Sequence, residues 1–415
     1  MTHFGIITPP VSGHLHPFGA LGRELMARGH RVTCFQVADL EAKIASEGLE
    51  FYPIGQSDHP AGSLPRSLEE LARRQGLSAL QFTIRAVAQT TTMVCRDGPE
   101  AIRRAGIDVL LVDQMEPAGG AVAEHLGLRF ATVCNALAIN RDPAVPPPFT
   151  DWQYRDVWWA RLRNTIGYAA SDRFTRPITS VVARFRKQWN LEPLASPDDS
   201  FSRTLQISQM FRAFDFPRRS LPSSFHYVGP LRDPSPRPIA FPWEKLDGRP
   251  LVYASLGTLQ NSRFGVFRCF VESCAGLNVQ LVISHGGGLT EKEAGSLPGD
   301  PLVVSYAPQT ELLRHAVLTL SHAGLNTVLD SLSAGVPLVT LPITYEQPGI
   351  ARRVEWAGAG RVLPMTQLRS RNLARLIREV LEQRSYTVAS GQFKNAFGTQ
   401  DGVILAANLI ESALD

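Results

Sequence analysis

VLTLSHAGLNTVLDSLSAGVPLVTL, residues Val317–Leu341, decides how this 415-residue chain is read. Val317–Leu320 is a short apolar run of the kind that forms a buried strand, and Ser321–Gly324 is a turn. Leu325–Ala334 carries helical periodicity that stops at Gly335, and Leu338–Leu341 is a second strand. Strand, helix, strand in this order implies two parallel strands joined by a right-handed crossover. The turn feeds a helix N-terminus whose first N–H groups lack intrahelical partners. Together with the positive end of the helix dipole they suit a diphosphate. His322 and Gly324 lie in that turn. Asn326 and Asp330 are four apart and share one helix face, with Thr327 beside them. Asp330 is placed to accept hydrogen bonds from a ribose diol, and Glu346 and Gln347, in the loop beyond the next strand, can meet sugar hydroxyls.

The same rhythm extends in both directions. Leu251–Ser255, Val279–Ser284 and Leu302–Ser305 read as strands before it. Near the start, Phe4–Thr8 reads as a strand, Pro17–Arg28 as a helix stopped by Gly29, and Arg31–Val37 as a strand. Val109–Val112 is a buried strand ending at Asp113, followed by a helix over Gly119–Leu126 and a strand over Phe130–Cys134. Residues 233–250 are Pro-rich (Pro234, Pro236, Pro238, Pro242, Pro250) and read as a linker. The expected fold is α/β: two Rossmann-like domains, 1–232 and 251–415, facing across a cleft at the carboxyl ends of two sheets. About 142–200, with Trp152, Trp158, Trp159, Tyr168 and Trp189 among many Arg residues, reads as a helical insert in the first domain. The last helical stretch, Val403–Leu414, could pack on either domain.

Composition narrows the function. Net charge is only +4, with no basic stripe, which argues against nucleic acid as a partner. The five cysteines form no CxxC pair, so zinc and redox motifs are unsupported and reduced buried thiols are expected. No secretory leader is visible and no run reaches the ~20 apolar residues that span a bilayer, so a soluble cytoplasmic protein is expected.

A second chemical signal follows the first strand: Pro9-Pro10-Val11-Ser12-Gly13-His14-Leu15-His16-Pro17. It is not GxGxxG, which argues against a dinucleotide fingerprint. A neutral imidazole suits proton removal from a hydroxyl near pH 7, and such a base needs a group that orients it. Asp113 ends a parallel strand near the first and can fill that role. His14 is the preferred base and His16 the rival.

The segment Tyr306-Ala-Pro-Gln309 … His322-Ala-Gly324-Leu-Asn326-Thr327 … Asp330 … Glu346-Gln347 resembles the donor signature of family 1 UDP-glycosyltransferases, with the two-domain GT-B fold. The resemblance implies Tyr306 stacked on uracil with Gln309 near the base. It implies His322, Asn326 and Thr327 on the diphosphate, Asp330 on the ribose, and Glu346 and Gln347 on the sugar. Thr258, in Ser255-Leu-Gly-Thr258, would be a further phosphate contact. The family's Gly-His base and strand-end Asp correspond to His14 and Asp113. Tyr306 and Leu325 stand where the family commonly has Trp, Asp330 where it has Glu, and Glu346 where it has Asp. No Asp-x-Asp triplet occurs, so the resemblance implies inverting transfer without a metal or other cofactor.

Further stretches, including Ser57-Asp-His-Pro60, Asp113-Gln-Met-Glu116, Asp215-Phe-Pro-Arg218 and Val228-Gly-Pro-Leu-Arg232, resemble bacterial zeaxanthin glucosyltransferases, a branch of that family. Glucose from UDP-glucose and an apolar carotenoid or terpenoid alcohol are the implied substrates. A flavonoid, polyketide or sterol-like acceptor is the alternative, with a UDP-sugar 2-epimerase or a nucleotide-sugar sensor as remoter ones. Phe149, Trp152, Trp158 and Trp159 could line an acceptor mouth, rest on a membrane surface beside Arg161 and Arg163, or simply hold the insert to its domain.

Overall fold

A computed structural model describes residues 1–415 except 73, 75, 234–237, 260, 398–400 and 415, and leaves the side chains of 72, 77, 397 and 414 undescribed. Part of the expected linker, and Gln260 of the strand-end motif, therefore lie outside the described residues.

The first lobe is a seven-stranded parallel sheet in the order β3-β2-β1-β4-β5-β6-β7. Its strands are β1 (His3–Ile7), β2 (Arg31–Gln36), β3 (Glu50–Pro53), β4 (Val109–Asp113), β5 (Arg129–Cys134), β6 (Gln206–Ser208) and β7 (Phe225–Tyr227). The crossovers carry α1 (Ser12–Ala27), α2 (Glu41–Ser46), α3 (Ser63–Ala72), α4 (Gly76–Ala105), α5 (Gly119–Leu126) and α6 (Trp158–Gln188). Helices cover both faces, so the central strands are uninterrupted apolar runs: Val109, Leu110 and Leu111 are each 0% exposed. Truncating one of them to Ala would cost about 2–5 kcal/mol through lost burial and the cavity left behind.

The second lobe is a six-stranded parallel sheet in the order β10-β9-β8-β11-β12-β13. It comprises β8 (Leu251–Ser255), α7 (Phe264–Cys274), β9 (Gln280–Ser284), α8 (Glu291–Gly295), β10 (Leu302–Val304), α9 (Gln309–Leu312), β11 (Ala316–Ser321), α10 (Leu325–Ala334), β12 (Leu338–Thr340), α11 (Gln347–Trp356), β13 (Gly360–Val362), α12 (Ser370–Glu382) and α13 (Arg384–Phe397), after which the chain ends in α14 (Gly402–Leu414). Gly335 ends α10 with φ +79, the left-handed value that a helix stop of this kind requires.

Several features differ from the sequence reading. The Pro9–Pro17 segment is not all loop: α1 begins at Ser12, so His14 sits on its first turn and Pro17 falls inside the helix. The sequence reading lacks the long helix α4, whose 30 residues mix polar and apolar positions around Pro99. The stretch read as an insert is the crossover from β5 to its parallel neighbour β6, a βα unit with an unusually long 31-residue helix. The sequence reading lacks strands β3, β6, β7 and β13, each only three or four residues long.

The ambiguous last helix packs on the first lobe. Val403, Ala406, Ala407 and Ile410 join Leu21 and Leu25 of α1 in one buried cluster, and Glu411 pairs with Arg28 at 2.6 Å. A second apolar cluster joins the lobes, with Met210, Phe211 and Phe214 after β6 packed against Leu325, Val328 and Leu329 of α10. Arg353 of α11 reaches across to Asp215 at 2.8 Å, both side chains only 1% exposed. These contacts hold the carboxyl ends of the two sheets against each other.

Candidate active site

Three neighbouring strands of the first sheet, β1, β4 and β5, end in polar residues that meet. Asp113 closes β4 and is fully buried. Its Oδ2 lies 2.8 Å from His14 Nδ1, and it accepts hydrogen bonds from Asn135 Nδ2 at 2.9 Å and Thr8 Oγ1 at 3.3 Å. Its Oδ1 accepts from the backbone N–H of Met115 at 2.8 Å. A buried carboxylate so fully satisfied can remain charged. It therefore orients the imidazole with the Nδ1 proton toward it, leaving the Nε2 lone pair free. Burial pulls the His14 pKa down, but the charge and hydrogen bond of Asp113, with Glu346 behind them, leave it raised above 6.5. The rival His16 points elsewhere: its Nδ1 is 2.6 Å from Glu47, and its side chain is half exposed.

The second lobe brings α10 to the same place. Asn326 Nδ2 donates to the Gly13 carbonyl at 2.9 Å, one residue from the base, and its Oδ1 accepts from Gln209 Nε2 at 3.0 Å. Neither α1 nor α10 has a side-chain cap, since Val11 and Gly324 occupy the capping positions. His322 lies between two glycines: a Cβ on Gly257 would fall 2.8 Å from its Cε1, and one on Gly324 would fall 2.6 Å away. Burial drives its pKa down to about 4, so the ring is neutral near pH 7, and its buried Nδ1 has no partner in the protein.

The remaining donor candidates form a linked set. Gln309 Nε2 donates to Asp330 Oδ2 at 2.6 Å, while its Oε1 accepts from Tyr253 and, at 3.4 Å, from Thr327. Asp330 Oδ1 accepts from Arg232 Nε of the first lobe at 2.6 Å. Tyr306 is 56% exposed and is tethered by its hydroxyl to Gly286. Thr258 is exposed in the turn after β8. Glu346 occupies the N-cap position of α11, where burial raises its pKa while the charge of His14 opposes the rise. Gln347 Oε1 accepts from the backbone N–H groups of Ile343 and Thr344, so this oxygen shapes the loop. Ala323 and Tyr345 hold positive φ values of 66 and 53, each immediately before one of these two helix caps. Such backbone costs about 1–3 kcal/mol and persists where the surroundings over-determine it.

A small apolar cavity of about 130 Å³ is lined by Pro10 and Val11, just ahead of α1, and by Leu64, Leu68, Phe82, Ala86 and Val87 of α3 and α4, among others. Thr83, also on its wall, is hydrogen-bonded to Tyr345, the neighbour of Glu346. One wall residue of the cavity thus touches the second lobe, while the lining itself belongs to the first. His59 lines it too, with a buried Nε2 that has no partner. None of Phe149, Trp152, Trp158 and Trp159 lines it. Trp152 packs against Gly167 beneath the Arg163 guanidinium, which lies 4.7 Å from its ring centroid, and so holds the crossover in place. Trp158 is 76% exposed, and Phe149 and Trp159 are each 44% exposed.

Asn135, Thr8, Gln209 and Arg232 were not read as site residues. A usable signal existed for two of them: Thr8 and Asn135 each follow the last apolar residue of a parallel strand, as Asp113 does. Among the described residues, no group of three or more His, Cys, Asp or Glu side chains is arranged to hold a metal ion.

Two facing Rossmann-like lobes joined in this way are the GT-B architecture. Solved structures of the kitacinnamycin glycotransferase (TM-score 0.74, 20% identity, 100% of this chain and 99% of that one) and of CalG4, the calicheamicin glycosyltransferase (0.73, 20%, 100% and 98%), share the fold. The model of the UDP-glucoronosyl and UDP-glucosyl transferase family matches residues 20–390, and the chain belongs to that family. It is 37% identical over 417 residues to a zeaxanthin glucosyltransferase of Pantoea ananas, covering 100% of this chain and 96% of the relative. The corresponding protein of Pseudescherichia vulneris is 36% identical, covering 100% and 98%.

Proposed function

We propose that this glycosyltransferase moves glucose from UDP-glucose to a hydroxyl of a carotenoid or similar terpenoid alcohol, with inversion and without a metal. The observation that carries the reading is the joint of the two lobes: the His14–Asp113 pair lies one residue from the carbonyl that binds Asn326 on the first turn of α10. A base and an anion-binding helix terminus are thereby held at one place. In the proposed step, His14 Nε2 takes the acceptor hydroxyl proton as that oxygen attacks the anomeric carbon. The bond from the anomeric carbon to the β-phosphate oxygen breaks, and UDP leaves with the electron pair. Its growing charge meets the N–H groups of α10 and neutral His322. Asp113 stabilises the imidazolium without itself taking the proton.

The names of the two carotenoid-acting relatives and the apolar cavity support the acceptor class. A cavity of about 130 Å³ accommodates a ring-sized end of such a molecule, not its whole length. Incubation with UDP-glucose and a panel of apolar alcohols, with product masses read directly, tests the proposal. A gain of one hexose on carotenoid diols but not on flavonoids supports it. Transfer confined to flavonoids or macrolides, or from other nucleotide sugars only, would overturn the substrate assignment. UDP-GlcNAc epimerisation with no acceptor would overturn the reaction.

A further inference from the structure

Helix α6 carries an outward face with no protein against it. Its buried side is Ala160, Asn164, Tyr168, Ile178, Val182 and Arg186. Helical spacing puts Trp158, Leu162 and Ile166 on the opposite side, four residues apart. They are 76%, 54% and 60% exposed, and Ala169 and Ala170 continue the exposed strip. Large apolar side chains at this exposure, contiguous on one helix, mark a surface that binds something.

Charge identifies the occupant. Residues 158–188 hold seven basic side chains against one acid, Asp172, a net of +6 where the whole chain sums to +4. The rest of the molecule is therefore net negative, 4 − 6 = −2. Asp172 is itself taken by Arg141. Beyond the apolar strip, the same outward side carries Arg173 and Arg176, both exposed and without an ion pair among the described residues. Arg163 lies over the rings of Trp152 and Trp159. An apolar stripe with Trp at its end, edged by arginines, matches a helix lying in the plane of an anionic lipid surface. No described helix is long and apolar enough to cross a membrane, which leaves the surface as the binding mode for this helix.

Position agrees. Both α4 and α6 leave the carboxyl end of a strand and return to the start of the next, so both begin on the cleft side of the sheet. The apolar strip occupies the first half of α6, and the cavity wall formed by Phe82, Thr83, Ala86 and Val87 occupies the first half of α4, its neighbour.

We infer that the outward face of α6, centred on Trp158, Leu162 and Ile166 and edged by Arg173 and Arg176, docks the enzyme on anionic bilayers. It does so on the helix packed beside α4, whose first half walls the cavity proposed for the acceptor. The docking itself does not depend on the acceptor assignment, and its test needs no sugar transfer.

Co-flotation of the full chain with phosphatidylcholine vesicles, with and without phosphatidylglycerol, decides it. The wild type floats with the anionic vesicles at low salt and is released by high salt. L162S/I166S keeps its melting temperature and loses about tenfold or more of its vesicle partitioning. R173E/R176E, which leaves the apolar strip intact, loses about tenfold on anionic vesicles and is unchanged on neutral ones. The inference is overturned if the wild type stays with the soluble fraction at low salt, or if both variants float as the wild type does. It is equally overturned if sedimentation shows a dimer that L162S/I166S dissociates without altering flotation, since a second copy then covers the face.

Discussion

His14 and His322 occupy comparable places, each just after a central strand and at or beside a helix N-terminus, yet their surroundings drive them in opposite directions. Both rings are partly buried. His14 has a carboxylate 2.8 Å away, and its pKa is raised. His322 has two glycines and no carboxylate partner, and its pKa falls to about 4. The first is held ready to become a cation when a proton arrives. The second is held neutral beside the place proposed for a diphosphate. Burial alone favours an uncharged ring, and one buried anion raises the same group's affinity for a proton.

The comparison breaks most sharply at His14. His14→Ala should lower kcat/KM by about 10²–10⁴-fold while UDP affinity, measured by calorimetry, stays within a few-fold. A variant that retained turnover would remove the base from the proposal. Asp113→Asn should come next, with a loss of about a hundredfold or more and a change in the pH profile. Protonated His14 cannot accept a proton, so activity of the wild type falls as pH drops through the raised pKa. Without the carboxylate that pKa falls, and the acid limb of kcat/KM should move to lower pH. A limb that stays in place assigns it to another group.

On the other side, His322→Ala should raise KM for the nucleotide sugar by about ten- to a hundredfold, the value of one hydrogen bond to a charged oxygen. With its pKa near 4, His322 adds no step to the profile above pH 5; a second histidine-like limb that vanishes in His322→Ala would contradict this. The smallest kinetic effect belongs to the clasp between the lobes. Arg232→Ala frees one oxygen of Asp330 and should weaken donor binding only a few-fold. Stability offers a control away from the chemistry: Asp215→Ala strands the buried Arg353 and should cost about 3–5 kcal/mol in denaturant unfolding. Asp215 has a depressed pKa, so its contribution is present above the ordinary carboxylate range and is lost as pH falls below it.

Much of this was legible locally. The apolar runs, Gly335 and the strand-end Asp113 each act within a few residues, and the structure reproduces Leu251–Ser255, Gly119–Leu126 and Leu325–Ala334 as read. Helix α1 was placed late because Pro17 looks like a first-turn proline. In fact five residues precede it within the helix, and its ring falls on a buried side. The side proposed for the acceptor is the least legible. Trp152, Trp158 and Trp159 drew attention as aromatics, but the cavity is walled by ordinary Leu, Val and Ala of α3 and α4, whose composition does not distinguish a pocket wall from a core.

The sequence by itself determined the two parallel α/β halves and the residue types of the donor segment, since periodicity and turn chemistry are local properties. Which histidine meets Asp113, that Asn326 touches Gly13 across 313 positions, that α14 completes the first lobe, and that one face of α6 stays bare were decided only by the tertiary structure. Those outcomes depend on which surfaces cover one another, and a linear pattern specifies what each surface is made of, not what comes to rest against it.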